Sequence, residues 1–251
     1  MSGLIRREVA GAVLTLTLAR PDKLNAFNSA MLQELRAAVA QAGTDPSLRV
    51  LVLTGEGRAF STGQDLAALD GRDLSEILAC DYEPLVLALM ESPLVTIAAV
   101  NGTALGAAAN LALACDIAVA AERASIVQAF VKIGLIPDAG GTWLLPRIVG
   151  LRNAMALALT GDSITAREAQ AMGMFYRVFA DDVFVDEVAA LAQKIAAYSP
   201  HACRMIKQSL RKSMANDLRT QLALEAEMQG EAAGFPEFAA AVGAFMARRK
   251  A

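Results

Sequence analysis

One carboxylate, Asp138, stands in the run VKIGLIPDAGGTWLLPR (residues 131–147). Pro137 precedes it, Ala139, Gly140 and Gly141 follow, and Ile136, Trp143 and Leu144 add apolar bulk. Two roles are open to such a residue. An Asp before Ala-Gly-Gly can cap a helix beginning near Thr142 by accepting from a first-turn N–H. In an apolar pocket the same carboxylate loses hydration, and its pKa rises towards the range useful for proton transfer at neutral pH. Two further stretches, GEGRAFSTGQDL (55–66) and NGTALGAAANLALACD (101–116), could supply the complementary chemistry. Each carries a Gly where an apolar strand would turn into a helix, which leaves backbone N–H groups at the positive end of a helix dipole. Such groups hold an anion, or an oxygen that becomes negative during reaction. Neither stretch has the phosphate-cradling GxxxxGK[ST] or the dinucleotide GxGxxG spacing. Read alone, each is also what a purely conformational glycine would leave.

The surrounding pattern indicates how these residues are positioned. LIRREVAG and AVLTLTLA read as two strands, and RPDKLNAFN as a turn. Asn28 then caps a predicted helix, SAMLQELRAAVAQAG, that ends at Gly43. RVLVLTG (49–55), LVTIAAV (94–100) and DIAVAA (116–121) are short, nearly continuous apolar runs of the kind expected of buried strands. Helices are predicted between them over 81–92 and 104–115, so the alternation gives an α/β organisation up to about 180. From about 182 four helical segments follow without a strand, and the expected domain division is 1–195 and a helical 196–251. Their Ala- and Met-rich faces read as core or oligomer contacts.

Composition narrows the function classes. Of 251 residues, 55% are hydrophobic and 20% charged, as in a globular protein with a large buried core. The formal net charge is −3 and the densest basic stretch is ARRK at 247–250, which argues against nucleic acid as a partner. Cys80, Cys115 and Cys203 are too scattered for a disulfide framework or a metal pair and suit a reducing cytosol. The only histidine is His201, so no metal site and no Ser-His-Asp hydrolysis is expected. The N-terminal MSGLIRREVAGAV lacks the continuous apolar core of a secretory signal, and no run reads as a membrane span. A cytoplasmic location is the corresponding expectation.

Five blocks in fixed order carry a resemblance: LTLARPDKLNAFN, VLTGEGRAFSTGQDL, IAAVNGTALGAAANLALACDIAVAAERA, KIGLIPDAGGTWLLPR and LTGDSITAREAQAMGM. Over nearly its whole length the chain resembles the enoyl-CoA hydratase/isomerase (crotonase) superfamily. The resemblance implies a crotonase-like spiral of ββα units, with a helical C-terminal region that builds a homotrimer or a hexamer made of two trimers. It implies an acyl-CoA thioester as the bound molecule, with CoA entering as part of the substrate and no separate cofactor. It also implies an enolate stabilised by two backbone N–H groups. By motif these belong to Gln64, after Gly63, and Ala107, after Gly106, and the side chains at both positions are free to vary.

Hydrating relatives carry two glutamates that activate water. At those positions, three residues after Ala107 and eight before Asp138, this chain has Asn110 and Phe130. An amide and a phenyl ring cannot replace two acid/base carboxylates, so ordinary hydration is demoted and Phe130 is expected to pack against the acyl pocket. Several isomerases of the family have an acid at the Asp138 position. One carboxylate suffices to take a proton from C2 and return it to C4, so the expected reaction converts 3-enoyl-CoA to 2-enoyl-CoA. A ring isomerase of phenylacetyl-CoA catabolism, residual hydration and a noncatalytic CoA-thioester-binding role stand as alternatives. For substrate binding the resemblance suggests Lys23 near the nucleotide phosphates, Ala59, Phe60, Ser61, Asp65 and Leu66 along the adenine and pantetheine path, and Trp143 by the acyl group. Phe245 with Arg248, Arg249 and Lys250 could close the CoA site, from the same or a neighbouring subunit, and Arg72 is a candidate for phosphate neutralisation.

Overall fold

The computed structural model describes residues 3–69 and 71–248. Strands β1 (Ile5–Ala10) and β2 (Val13–Leu18) form an antiparallel hairpin that turns at Gly11, where φ is +61°. Helix α1 (Ser29–Thr44) follows, and the Asn28 side chain accepts from the Met31 N–H as its cap. The helix continues one residue beyond the predicted stop at Gly43, since a single glycine near a helix end weakens the helix without breaking it.

Three turns of chain then repeat one plan: a long strand, a short strand and helix. The first contains β3 (Val50–Gly55), β4 (Ala59–Ser61), α2 (Leu74–Ile77), a π-helical turn at Leu78–Tyr82 and α3 (Glu83–Glu91). The second contains β5 (Val95–Val100), β6 (Thr103–Leu105) and α4 (Ala107–Ala114). The third contains β7 (Ile117–Ala121), β8 (Ser125–Val127) and α5 (Gly141–Thr160), whose backbone is interrupted at Gly150. Then come β9 (Ser163–Thr165), α6 (Ala166–Ala171), β10 (Arg177–Phe179) and α7 (Phe184–Ala196). The long strands make a sheet of order β1-β2-β3-β5-β7-β10, parallel from β2 onward, and the short ones a second sheet, β4-β6-β8-β9.

The apolar runs become strands because both of their faces are covered: all six residues of β5 and five of the six in β3 are buried. Leu16, Leu18, Leu51, Leu53, Phe27 and Phe60 pack in the same core as Leu32 and Leu35 of α1, each leucine contributing roughly 2 kcal/mol by leaving water. All eight residues of α4 are buried, and six of them are small or amide side chains that let neighbouring backbones come close. The helix is shorter than the 104–115 run suggests because its first residues pair as β6.

One unit of the chain ends at Ile195 and a second begins at Ala196. Within the second lie α8 (Pro200–Ser213), α9 (Leu218–Ala233) and α10 (Pro236–Arg248). Ser199 and Asp217 cap the first two of these, and Gln221 of α9 donates to Ser209 Oγ of α8 at 3.0 Å. His201 lies flat on Phe235 with ring centroids 3.7 Å apart. Among the described residues, no helix is long and apolar enough to cross a membrane.

The first glycine-containing stretch is anchored by Asn25, which is fully buried at a φ of +56°. Its Oδ1 accepts from the Arg20 N–H, and its Nδ2 donates to the carbonyls of Glu56 and Ala59, each at 2.9 Å. Ser61 Oγ donates to the Asn25 carbonyl at 2.7 Å. Removing the amide leaves buried backbone groups unsatisfied. Asn25→Ala is expected to lower the unfolding free energy by about 2–4 kcal/mol, measured by urea denaturation against the unaltered chain.

Candidate active site

The two glycine-containing stretches meet. Gly63 has a φ of +77°, and a Cβ added there would stand 2.7 Å from the Leu105 carbonyl oxygen and 3.5 Å from the Ala107 nitrogen. Only glycine permits both this conformation and this approach. Ser61 Oγ braces the turn by accepting from the Gly63 N–H at 3.2 Å. Phe27 pairs on both sides of Gln64: its N–H donates to the Gly63 carbonyl at 2.7 Å, and its carbonyl accepts from the Asp65 N–H at 2.8 Å. That pairing passes over the Gln64 N–H. Ala107 opens α4 behind Gly106, which has a φ of +59°, so its N–H has no intrahelical acceptor.

Both residues line a cavity of about 390 Å³ whose walls include Leu66, Leu74, Tyr82, Phe130, Lys132, Ile136 and Asp138. Asp138 is the single carboxylate among the described residues that line it. Its carboxylate does not cap α5, which starts at Gly141 behind Gly140 with no side-chain cap. Instead Asp138 Oδ1 is buried without a hydrogen-bond partner. Burial disfavours the charged form and pushes the pKa up to about 6, against a small opposing pull from the residue's own N–H.

The Asp138 loop is held through its main chain. Its carbonyl accepts from the Gly141 N–H at 2.7 Å and from Asn110 Nδ2 at 2.9 Å. Asn110 is fully buried, and its Oδ1 accepts from Gln128 Nε2 at 2.8 Å. Asn110 thus ties α4 to this loop, and it is not part of the cavity wall where a substrate-binding residue was expected. Gly141 packs directly on the Asn110 amide, where a Cβ would overlap it.

Other expected residues fall in different places. Gly63, Leu66, Gly106 and Phe130 line the cavity, and Phe130 lies against Gly106. Ala59, Phe60 and Ser61 do not; they form β4 and are buried inside the second sheet. Asp65 is not part of the wall, because Arg20 Nη2 holds it in a half-buried ion pair at 3.0 Å. Trp143 points away to the surface, 44% exposed, with the Arg147 guanidinium 4.2 Å from its ring centroid. Lys23 ends an exposed turn, Pro21–Lys23, outside the cavity. Arg72 is engaged by Ser29 at 2.7 Å and Asp81 at 3.0 Å and is no free phosphate ligand. Phe245 is exposed on α10 in the second unit, while Arg249 and Lys250, and the side chain of Arg248, lie outside the described residues.

Sequence reasoning passed over Tyr82, Gln128 and Lys132. Tyr82 is 2% exposed yet faces the cavity, and its hydroxyl donates to Gln64 Oε1 at 2.9 Å. Burial, with the Asp138 and Asp81 carboxylates acting in the same sense, holds its pKa well above the usual tyrosine value, so the hydroxyl keeps its proton.

Residues 8–251 match the family described as enoyl-CoA hydratase/isomerase. The chain belongs to that family. It is 44% identical over 247 residues to a protein of Rhodobacter capsulatus named "Probable enoyl-CoA hydratase", covering 98% of this chain and 95% of that one. To the 1,2-epoxyphenylacetyl-CoA isomerase of Escherichia coli it is 42% identical over 255 residues, covering 99% and 97%. The crystal structure of an enoyl-CoA hydratase from Bacillus anthracis superposes with a TM-score of 0.93 at 30% identity, covering 98% of this chain and 96% of the other. The fold is therefore the crotonase fold, helical C-terminal region included.

The raised pKa has a stability consequence. The folded state binds the Asp138 proton more tightly than the unfolded chain, whose reference value is 3.8. The ionised carboxylate thus opposes folding by up to about 3 kcal/mol above pH 6, and the penalty disappears as pH falls below about 4. Asp138→Asn is expected to melt at a higher temperature than the unaltered protein at pH 8 and at nearly the same temperature at pH 4, read by circular dichroism.

Proposed function

We propose that this protein isomerises acyl-CoA thioesters, moving a double bond from the 3,4 to the conjugated 2,3 position, with Asp138 as the single proton carrier. The observation that carries the proposal is Asp138, whose Oδ1 is buried without a hydrogen-bond partner and which is the single acid among the described residues lining a largely apolar cavity. An ionised carboxylate oxygen without a donor is a ready base towards a C–H bond, because no hydrogen bond must be broken before it accepts a proton. The thioester carbonyl oxygen faces the N–H groups of Gln64 and Ala107, which stabilise the enolate as charge develops there. Asp138 takes the C2 proton, the negative charge spreads from the thioester oxygen to C4, and the same carboxyl group returns the proton to C4. Atoms and charge balance without water or a redox partner. Phe130, Leu135, Ile136 and Pro137 give the cavity around the carboxylate apolar walls. Losing either N–H donor would raise the barrier by on the order of 3 kcal/mol.

Hydration requires a placed water and a second acid, and Asn110 with Phe130 supplies neither. A ring-bearing acyl group is the second reading, supported by the 42% identity to the E. coli epoxyphenylacetyl-CoA isomerase. Within the same proposal, Lys23 meets the CoA phosphates, and Phe245 of a neighbouring subunit closes over the bound nucleotide. The protein assembles as a trimer or paired trimers through its C-terminal unit, where Leu218, Leu222 and Phe238 are more than half exposed.

Purified protein given 3-hexenoyl-CoA is expected to develop the ultraviolet absorbance of a conjugated enoyl thioester, while 2-hexenoyl-CoA in water keeps its absorbance. Hydration of the second compound would refute the single-carboxylate mechanism, and silence on the first would favour ring substrates. Because the base must be ionised, kcat/KM is expected to rise with pH and level off above about 6. Asp138→Asn is expected to lower kcat by about 100- to 10,000-fold, and full activity in that variant would remove the residue from the mechanism.

A further inference from the structure

We infer, on the basis of the oxyanion role proposed above for the Gln64 N–H, that Tyr82 is a positioning residue that acts through the Gln64 carboxamide to fix that N–H. A backbone donor works only if its peptide is held still, since reorientation during reaction forfeits the advantage of a prearranged dipole. The Gln64 peptide lies on a loop, not in a sheet; Phe27 and Ser61 hold Gly63 before it, and Phe27 and Arg20 hold Asp65 after it. Tyr82 reaches this peptide by two routes. Its hydroxyl donates to Gln64 Oε1 at 2.9 Å. Its ring meets Phe27 edge-on, with centroids 6.3 Å apart and planes at 78°. One side chain therefore braces both the Gln64 side chain and the residue that carries the Gln64 backbone.

Tyr82 is itself fixed. It ends the π-helical turn Leu78–Tyr82, a local widening that often marks functional sites in helices. Its neighbour Asp81 is 2% exposed and accepts from Arg72 Nη1 at 3.0 Å and from Gln33 Nε2 at 3.1 Å. These bonds anchor the turn to α1 and its surroundings and direct the next residue inward. The side chain at position 64 is therefore not free to vary, contrary to what a backbone donor alone implies.

Two variants test this from opposite ends of the hydrogen bond: Tyr82→Phe, which keeps the ring on Phe27, and Gln64→Leu, which removes the acceptor. The first readout is the infrared carbonyl band of hexanoyl-CoA labelled with carbon-13 at the thioester, free and bound. The second is kcat and KM with 3-hexenoyl-CoA. The unaltered protein is expected to lower the frequency of the bound carbonyl. Both variants are expected to return it most of the way to the free value, with kcat down about 10-fold and KM within about 2-fold. The double variant is expected to be no worse than either single one. A wild-type band and wild-type kcat in either variant would overturn the inference. An unshifted band in the unaltered protein with ligand bound would overturn the oxyanion role itself, and this inference with it.

Discussion

A carboxyl group with one oxygen, Oδ1, buried and without a hydrogen-bond donor is the constraint on which the site depends. Buried polar groups are nearly always partnered, and a lone charged oxygen is among the more costly departures from that rule. The surrounding structure compensates by fixing the backbone of Asp138 and leaving its side chain alone. Asn110 and Gly141 both donate to the Asp138 carbonyl, so the loop is rigid while the carboxyl group stays uncommitted. Tyr82 lines the same cavity, and its hydroxyl proton goes to Gln64 instead.

The spiral fold explains how such a site can be assembled from distant pieces. Each turn of chain adds one long and one short strand, so equivalent loops of successive turns come to lie side by side. Gly63 leaves the end of β4 and Gly106 the end of β6, and those strands are neighbours in the second sheet. The proximity of the Gln64 and Ala107 amides is thus a consequence of sheet register. The acid comes from the next turn, beyond β8, which pairs with β6. Three elements in one sheet order bring together residues separated by more than seventy positions.

Much of this order was legible in the residues. Continuous apolar runs marked the buried strands, Asn28 marked a helix start, and glycines marked both turns. What was not legible came from partners far away in the chain. Asp65 looked available until Arg20, 45 residues earlier, proved to hold it. The stretch Ala59–Ser61 resembled a ligand loop because short strands carry too little pattern to announce themselves, and β4 is only three residues long. Trp143 drew attention as an aromatic near the acid, although Arg147 one helical turn on could have signalled an outward-facing pair. Tyr82 was hidden inside an apolar helical run, and only the π-helical turn sets its direction. Asp138 itself remained ambiguous in sequence because capping and proton transfer call for the same residue in the same kind of turn.

The Asn110 tie also bears on how chemistries can interchange within this fold. A glutamate at that position would carry one more methylene into a site with no exposed surface, against a Gly141 that already lacks room for a methyl group. Its charge would face the Asp138 carbonyl oxygen, which now accepts a bond from the amide. Gaining a second acid there would mean releasing the loop that carries the first. The path from a one-acid to a two-acid site in this scaffold therefore runs through coordinated changes around residues 110, 128 and 141, which the Asn110 tie joins.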